Sequence, residues 1–308
     1  MLGLVFKSTG SLFLVRTING KTIPCNIRGK LRLTVSKSTN PVVVGDWVEI
    51  EVEEDGTHGN ITEVKDRRNY IVRKSVNLAR QNHVIAANLD QTCLIVTLIN
   101  PVTNTEFIDR YLCTAEAYRI PVVIVFNKID LYDEALLLYL NELTTIYNKI
   151  GYKCLPVSAK NNIGIDELKQ LLTKKVSLIS GNSGVGKSTL INTLEPDLDL
   201  KVAEISNYHL KGKHTTTFSE MFELPEGGFI IDTPGIKGFG LINIKNDELF
   251  HYYREMFVLN QKCQYYNCTH THEPNCAVKT AVSTGQIAES RYKSYLNILL
   301  DENEKHRT

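Results

Sequence analysis

One glycine-rich stretch near the middle of the chain restricts the fold more than any other feature. It fits the pattern G-x-x-x-x-G-K-[ST], with Lys187 and Ser188 as its last two positions. An apolar run at 176–180 precedes it and predicts a buried strand, and 190–194 after it predicts the start of a helix. In a strand–loop–helix unit of this kind, the backbone N–H groups of the loop and the N-terminus of the helix bind a polyphosphate. The predicted phosphate-binding residues are Gly181, Asn182, Ser183, Gly184, Val185, Gly186, Lys187, Ser188 and Thr189.

Composition and length are typical of a soluble protein with more than one domain. The 308 residues suffice for two or three domains, and 43% apolar with 22% charged residues is usual for globular chains. No apolar run reaches the roughly 20 residues that span a bilayer. Residues 1–7 have their lysine after the apolar residues and no small-residue cleavage site, unlike a signal peptide. We therefore predict a cytoplasmic protein with no membrane partner.

The first 70 residues predict a small all-β domain. Short alternating segments are separated by turn signals such as Asn19-Gly20 and Asp55-Gly56. The candidate strands are 3–7, 11–16, 21–27, 32–35, 46–53 and 60–64. Five or six short strands in this length favour a barrel of the OB type, which often binds nucleic acid. An SH3-like barrel with a structural role fits the pattern equally well.

Residues 66–90 are polar and basic, and we interpret them as a connector. Residues 1–80 hold 13 lysines and arginines against 8 acidic residues, although the whole chain has a net charge of only +1. Such an excess favours an anionic partner, and a solvated linker explains it equally well. The basic residues of the connector are Arg67, Arg68, Arg73, Lys74 and Arg80.

From residue 91 the pattern changes to strands that alternate with helices. Predicted strands at 91–99, 121–126 and 152–157 alternate with predicted helices at 105–119, 133–150 and 164–174. This alternation indicates a mostly parallel sheet covered by helices on both faces. Ligands of such sheets bind at the carboxyl ends of the strands. We therefore expect the binding residues at those ends.

Two motifs at strand ends select guanine as the base. Asn127-Lys128-Ile129-Asp130 resembles N-K-x-D, in which the aspartate accepts hydrogen bonds from guanine N1–H and the exocyclic amine. Ser158-Ala159-Lys160 follows the next predicted strand and resembles the S-A-K loop, whose backbone N–H meets guanine O6. Adenine offers no such donor pair. The predicted base-binding residues are Asn127, Lys128, Ile129, Asp130, Ser158, Ala159 and Lys160.

Downstream of the phosphate loop lie two predicted switch segments. Residues 212–217 resemble switch I, whose threonine binds Mg²⁺ when the γ-phosphate is present. Asp232-Thr233-Pro234-Gly235 resembles D-x-x-G, with the Gly235 N–H facing the γ-phosphate. Because the base motifs precede the phosphate loop, the domain is circularly permuted relative to Ras-like GTPases. The candidate magnesium ligands are Ser188, Thr215, Thr216 and Asp232, and we leave open which threonine binds.

Three of the seven cysteines fall within positions 263–276. With a nearby histidine they form C-x4-C-x-H-x5-C, a Cys₃His set suited to one structural zinc ion. Catalytic zinc is disfavoured because a full set of four ligands leaves no open position. His272 is a competing ligand, and unmetallated cysteines are the alternative. The predicted zinc ligands are Cys263, Cys268, His270 and Cys276.

This combination of motifs resembles the ribosome small-subunit-dependent GTPase A family over essentially the whole chain. The most specific parts are residues 212–217, the Asp232-Thr233-Pro234-Gly235 run followed by Phe239-Gly240, and the Cys/His spacing. The resemblance implies an OB-fold, a cytoplasmic location, and a late role in maturing the small ribosomal subunit, which stimulates GTP hydrolysis. We expect a monomer that binds rRNA. The predicted domains are an OB-like barrel at 1–68, a permuted GTPase domain at 69–240 and a helical zinc domain at 241–308.

The residue that follows the D-x-x-G glycine also differs from that of Ras-like enzymes. The glutamine that orients the attacking water there is replaced by Ile236, which cannot do so. We predict that His214 handles the water, because histidine transfers protons near neutral pH and the family pattern also carries it here. A positioning or RNA-facing role for His214 is the alternative. Two other functions remain open at this point: an RNA-binding module with a regulatory nucleotide site, and a permuted GTPase acting on the large subunit or a non-ribosomal partner.

Overall fold

The computed structural model describes residues 1–9, 11–28, 41–74, 82–196, 219–232 and 244–305. They form a β-barrel and a helical C-terminal unit, each with one apolar core, and between them in sequence a helix-covered sheet with an apolar core on each face. The fold class predicted from the sequence is therefore confirmed. In the described part of the chain, no helix combines the length and apolar character needed to span a membrane.

The N-terminal barrel closes through five strands. These are β1 (Leu2–Ser8), β2 (Phe13–Thr17), β3 (Thr22–Ile27), β4 (Trp47–Val52) and β5 (Gly59–Val64). Around the barrel the order is β1-β2-β3-β5-β4-β1, and only the β3–β5 pair is parallel. This order is that of the OB-fold, so the OB prediction is confirmed over the SH3-like alternative. The predicted strand at 32–35 lies outside the described residues.

A β-hairpin occupies the region that the sequence analysis interpreted as a connector. It consists of β6 (Tyr70–Lys74) and β7 (Asn82–Ala87). Ala86 of β7 pairs with Val44, next to the barrel, and both side chains are buried in the core under the parallel sheet. The hairpin therefore fills the junction between barrel and sheet.

Arg67 and Arg68, just before β6, form hydrogen bonds with other groups of the protein. The Arg67 guanidinium donates to both carboxylate oxygens of buried Asp46, at 2.7 Å each. Arg68 donates to the backbone carbonyls of Asn88 and Leu89 and to the Asp90 carboxylate. Arg67 and Arg68 thus hold the hairpin against its neighbours, and we do not assign either of them to an external phosphate backbone.

The central sheet has the order β10-β9-β8-β11-β13-β12. Its strands are β8 (Gln91–Val96), β9 (Val122–Phe126), β10 (Lys153–Pro156), β11 (Val176–Ser180), β12 (Ser219–Glu223) and β13 (Phe229–Asp232). All neighbouring pairs are parallel except β12–β13. The helices are α1 (Thr105–Ala117), α2 (Glu134–Lys149), α3 (Ile165–Leu172) and α4 (Lys187–Leu194). The permuted, mostly parallel sheet is thereby confirmed.

Strand β8 shows why the sheet is covered on both faces. All six of its residues are buried. Leu94 and Val96 pack in the core that contains residues of α1 and α2, whereas Cys93 and Ile95 pack in the core that contains residues of α3 and α4. Successive side chains of a strand point to opposite faces, so an uninterrupted apolar run fits a strand between two helical layers.

Barrel and central sheet are joined by a shared ladder. The end of β1 pairs antiparallel with β12, with Lys7 opposite Glu220 and Ser8 opposite Ser219. The Lys7 ammonium lies 2.7 Å from the Glu220 carboxylate, and Arg16 of β2 pairs with Glu223. The junction therefore combines backbone hydrogen bonds with two ion pairs.

The C-terminal unit packs its last helix along α1. A 3₁₀ turn (Leu249–Tyr252) precedes α5 (Arg254–Asn260), α6 (Ala277–Ser283) and α7 (Glu289–Lys305). The helices α6 and α7 are separated near Gly285, whose φ of +72° is outside the helical region. Arg291 of α7 is 2% exposed and pairs with Asp109 of α1 at 2.6 Å and with Glu255 of α5 at 2.8 Å. This buried triad fixes the unit to the GTPase domain.

Candidate nucleotide site and metal centre

The phosphate loop runs from the end of β11 into α4, as predicted. Two of its glycines are required by close approach. A Cβ on Gly181 (φ +146°) would lie 2.3 Å from the Ile95 carbonyl oxygen, and one on Gly186 (φ +91°) would lie 2.6 Å from Asn127 Nδ2. Both φ angles disfavour other residues as well. The loop can therefore bring its backbone close to a ligand and to the neighbouring loops.

Lys187 curls back over this loop. Its Nζ donates to the Gly181 carbonyl at 2.9 Å and to the Asn182 carbonyl at 2.8 Å. Burial lowers the pKa of Lys187, and the nearby Asp232 carboxylate opposes that shift. The ammonium group is thus held over the phosphate loop by two backbone carbonyls.

Asn127 connects three of the predicted segments. Its Nδ2 donates to the Val185 carbonyl in the phosphate loop at 2.9 Å, and its Oδ1 accepts from the Ala159 N–H at 3.4 Å. The side chain is buried, so both hydrogen bonds are shielded from water. The predicted base motifs and the phosphate loop therefore meet at one side chain.

Asp130 is oriented by the second base motif. The Ser158 hydroxyl donates to Asp130 Oδ1 at 2.5 Å and accepts from the Asn161 N–H at 3.1 Å. Asp130 lies in a 3₁₀ turn with half-buried Ile129, whereas Lys160 is exposed. The structure thus brings the two predicted base motifs together around one carboxylate.

The loop between β8 and α1 also reaches the site, although the sequence analysis did not single it out. Pro101 lies beside Gly184: a Cβ built there would be 3.4 Å from Pro101 Cδ. The Lys128 Nζ donates to the Asn100 carbonyl and to the Gly184 carbonyl. The one available signal was its position after a strand, at the carboxyl edge of the sheet.

The predicted switch residues are only partly covered by the structure. Asp232 ends β13, and Ile179 of β11 is its register partner, so Asp232 lies beside the strand that leads into the phosphate loop. Ser188 follows Lys187 at the start of α4. These positions fit a magnesium ion bound next to a polyphosphate. The other predicted switch residues, His214, Thr215, Thr216 and Gly235, lie outside the described residues.

The four predicted zinc ligands converge. One potential ligand atom from each of Cys263, Cys268, His270 and Cys276 lies within 4.8 Å of the others. His270 Nδ1 faces the cluster, 3.4 Å from Cys276 Sγ and 3.7 Å from Cys263 Sγ. Among the described residues, His272 is exposed and its Nδ1 contacts the Thr271 hydroxyl instead. The preference for His270 over His272 therefore agrees with the geometry.

The chemistry of this cluster also fits zinc. Burial lowers the pKa of His270 to about 4, so its imidazole is neutral at neutral pH, as a metal ligand must be. Burial raises the pKa of the Cys268 thiol to about 12, and a bound cation would offset this by stabilising the thiolate. With three thiols and one imidazole, the donor set is that of a structural zinc site without an open position.

Hydrogen bonds around the cluster hold its loop in place. The Tyr292 and Tyr295 hydroxyls donate to the carbonyls of His270 and Thr269, at 2.6 and 2.7 Å. Partial burial opposes ionisation of Glu273, but hydrogen bonds from Thr269 and Thr271 prevail and lower its pKa to about 2. This carboxylate therefore stays charged and caps the ligand loop.

Comparison with known proteins agrees with these features. The family model described as RsgA GTPase matches residues 64–242, and the RsgA N-terminal domain model matches residues 2–61. The chain is 56% identical over 304 residues to the small ribosomal subunit biogenesis GTPase RsgA of Phocaeicola vulgatus, which covers 99% of this chain and 98% of that protein. The protein of the same description from Bacteroides fragilis is 55% identical, with the same coverage.

Two solved structures are similar along nearly the whole chain. YjeQ from Thermotoga maritima is 36% identical with a TM-score of 0.79, covering 97% of each chain. YloQ, described as a circularly permuted GTPase, is 26% identical with a TM-score of 0.76, covering 99% of this chain and 95% of its own. The GTPase model spans more than half of the chain and the relatives cover nearly all of it, so the chain belongs to the RsgA GTPase family.

Proposed function

We propose that this GTPase acts late in the maturation of the small ribosomal subunit, in the cytoplasm. Its relatives are described as small ribosomal subunit biogenesis GTPases, which supports this role. The observation that carries the nucleotide assignment is the position of Asn127, whose side chain joins the base motifs to the phosphate loop. One bound nucleotide can then contact both segments at once.

The proposed binding roles follow from this geometry. Asp130, oriented by Ser158, accepts from guanine N1–H and the exocyclic amine, while the Lys128 stem lies along the base. Backbone N–H groups of residues 181–189 bind the phosphates, and Lys187 leaves its carbonyl partners to reach the β- and γ-phosphates. Mg²⁺, held by Ser188, Asp232 and a switch I threonine, would neutralise charge on the phosphate oxygens.

For hydrolysis, the attacking water needs a partner other than the side chain at position 236. Isoleucine cannot accept a proton or a hydrogen bond, so we assign the water to His214 on the sequence argument alone. Without a glutamine at this position we expect slow intrinsic turnover, and stimulation by the small subunit. The reaction is attack of water on the γ-phosphorus, with GDP as leaving group.

We propose that the protein works as a monomer whose barrel and connector contact rRNA. The basic excess of residues 1–80 supports an anionic partner for this part of the chain. We retain 1–68 for the barrel, 69–240 for the GTPase domain and 241–308 for the zinc domain. If rRNA phosphates are bound, the affinity for the subunit must fall as salt is added.

Co-sedimentation with purified ribosomal subunits tests the proposal most directly. With a non-hydrolysable GTP analogue, the protein should pellet with small subunits and remain in solution with large ones. Added small subunits should also raise its GTPase rate. Pelleting with large subunits only, or an unchanged rate with small subunits, would refute the assignment. Lys187→Ala, which should lose nucleotide affinity, serves as the matched control.

A further inference from the structure

Tyr132 lies directly behind the predicted base loop and is 8% exposed. Its hydroxyl donates to the Asn127 carbonyl at 3.0 Å and accepts from the Leu98 N–H at 2.9 Å. Burial raises the pKa of Tyr132, although the Leu98 N–H opposes the shift, so the hydroxyl keeps its proton and can donate. Both hydrogen-bonding capacities of this group are therefore used within the protein.

The bond to Asn127 closes the base loop on itself. The hydrogen bond joins Asn127 to Tyr132, and Lys128 and Asp130 lie between these two residues in the chain. The Tyr132 N–H also donates to the Ile129 carbonyl at 3.1 Å, which completes the 3₁₀ turn. The hydroxyl thus fixes the span of the segment that presents both predicted base-binding side chains.

The bond to Leu98 ties the base loop to the neighbouring loop between β8 and α1. That loop is closed by Thr103, whose N–H donates to the Thr97 carbonyl at 2.8 Å and whose hydroxyl accepts from the Thr97 N–H at 3.2 Å. It presents the Asn100 carbonyl, which accepts from Lys128 Nζ at 2.5 Å. Lys128 is therefore stretched between two loops, one of which Tyr132 holds in place.

We propose that Tyr132 is a positioning residue for guanine recognition: its hydroxyl holds the loop of Asp130 and Lys128 in register with the loop between β8 and α1. This inference rests on the proposed base-binding role of Asp130. It assigns Tyr132 to base selectivity and not to the hydrolytic step, because the partners of its hydroxyl in the described part of the chain are backbone groups behind the base loop.

Tyr132→Phe tests this role, because it removes the hydroxyl and keeps the ring. The readout is the ratio of the dissociation constants for IDP and GDP. Hypoxanthine lacks the exocyclic amine, so the ratio measures how well Asp130 is placed for that group. We expect Tyr132→Phe to lower this ratio about three- to tenfold, the range of one hydrogen bond. The kcat of GTP hydrolysis at saturating GTP should stay within about twofold of the parent value.

Tyr147→Phe is the matched control. Tyr147 is also buried in the same core, but its hydroxyl donates to Asp109, away from the base loop. We expect this variant to lose stability and to keep the parent ratio. An unchanged ratio in Tyr132→Phe, or an equal fall in both variants, would overturn the positioning role and leave Tyr132 a structural residue.

A second variant keeps the inference testable should Tyr132→Phe fold poorly. Thr103→Val removes the hydroxyl that closes the β8–α1 loop while nearly keeping the side-chain volume, so it should lower the ratio in the same direction. Asp130→Ala tests the base-binding role of Asp130, on which the inference rests. If Asp130→Ala leaves the ratio unchanged, the base assignment itself is wrong; if only Tyr132→Phe and Thr103→Val leave it unchanged, the positioning role alone fails.

Discussion

His214 and Lys187 carry different parts of the proposed reaction, and single substitutions can separate them. We expect His214→Ala to cut subunit-stimulated GTP hydrolysis by about 10²-fold, because it removes the proposed proton acceptor, while the affinity for GTP stays nearly intact. Single-turnover kinetics with small subunits, together with nucleotide titration, measure both quantities. Unchanged turnover would refute the role of His214.

Lys187→Ala should show the opposite pattern. Its ammonium group lies over the phosphate loop. Its loss should therefore lower the affinity for both GDP and GTP, an effect that nucleotide titration detects without any hydrolysis. A His214→Ala protein that behaves like Lys187→Ala would instead indicate that His214 contributes to binding. The comparison therefore distinguishes a proton-transfer role from a binding role.

The site residues that could be predicted from the sequence belong to motifs that require a particular backbone conformation or a particular hydrogen-bond donor. Gly181, Gly186 and Asn127 belong to patterns that encode close approach or a specific hydrogen bond. Tyr132 was missed because it follows the motif and acts through backbone groups. The pair of Arg291 and Asp109 was missed because its members lie 182 positions apart, and no local pattern signals such a contact.

At the scale of secondary-structure elements, Arg291 joins α7 to α1 and α5. We expect Arg291→Met to destabilise the C-terminal unit by about 3–5 kcal/mol, because it leaves the carboxylates of Asp109 and Glu255 buried without their cation. Hydrogen exchange of α7 amides measures this local stability. Lys293→Met on the same helix removes only an exposed pair with Glu289 and should leave the exchange nearly unchanged. Equal effects of the two substitutions would contradict the triad's role.

Zinc removal should unfold the ligand loop and the start of α6. Cys276 caps that helix, with its Sγ accepting from the Lys279 N–H at 3.5 Å, and it also belongs to the ligand set. We expect a zinc chelator, used with excess Mg²⁺, to make the C-terminal unit sensitive to proteases while GDP binding persists, since the base and phosphate loops belong to a separate core.

Metal analysis of two variants tests the same site. His270→Ala should lose bound zinc, and His272→Ala should retain one ion per chain. The reverse result would assign the fourth ligand to His272. A protein that retains full protease resistance after chelation would show that the C-terminal unit does not depend on zinc.

Strand and helix prediction succeeded where one face or both faces of an element are buried in a regular pattern. It failed for β12, whose sequence Ser219-Glu220-Met221-Phe222-Glu223 begins and ends with polar residues that pair across domains. It also failed for the β6–β7 hairpin, because the polar residues around it dominate the pattern. The partners that make both elements strands are distant in sequence, so local periodicity could not reveal them.

At the scale of the whole molecule, α1 lies between the nucleotide site and the zinc domain. Its N-terminal cap, Asn104, ends the loop that contacts the phosphate loop through Pro101, and Asp109 one turn later binds Arg291. The zinc domain is therefore connected to the site in two ways: along the chain from the predicted second switch, and through the contacts of α1.

The ladder between β1 and β12 also determines how the protein can be shortened. A chain that starts after the barrel would leave β12 as an open edge, and open edges template pairing between copies. We expect residues 66–308 to self-associate in light scattering, more so at high salt, where repulsion between the bare carboxylates of Glu220 and Glu223 is screened. A monodisperse monomer at all salt concentrations would contradict this. Self-association of the shortened chain would show that the barrel has a second purpose, as the cover that keeps the GTPase domain from aggregating.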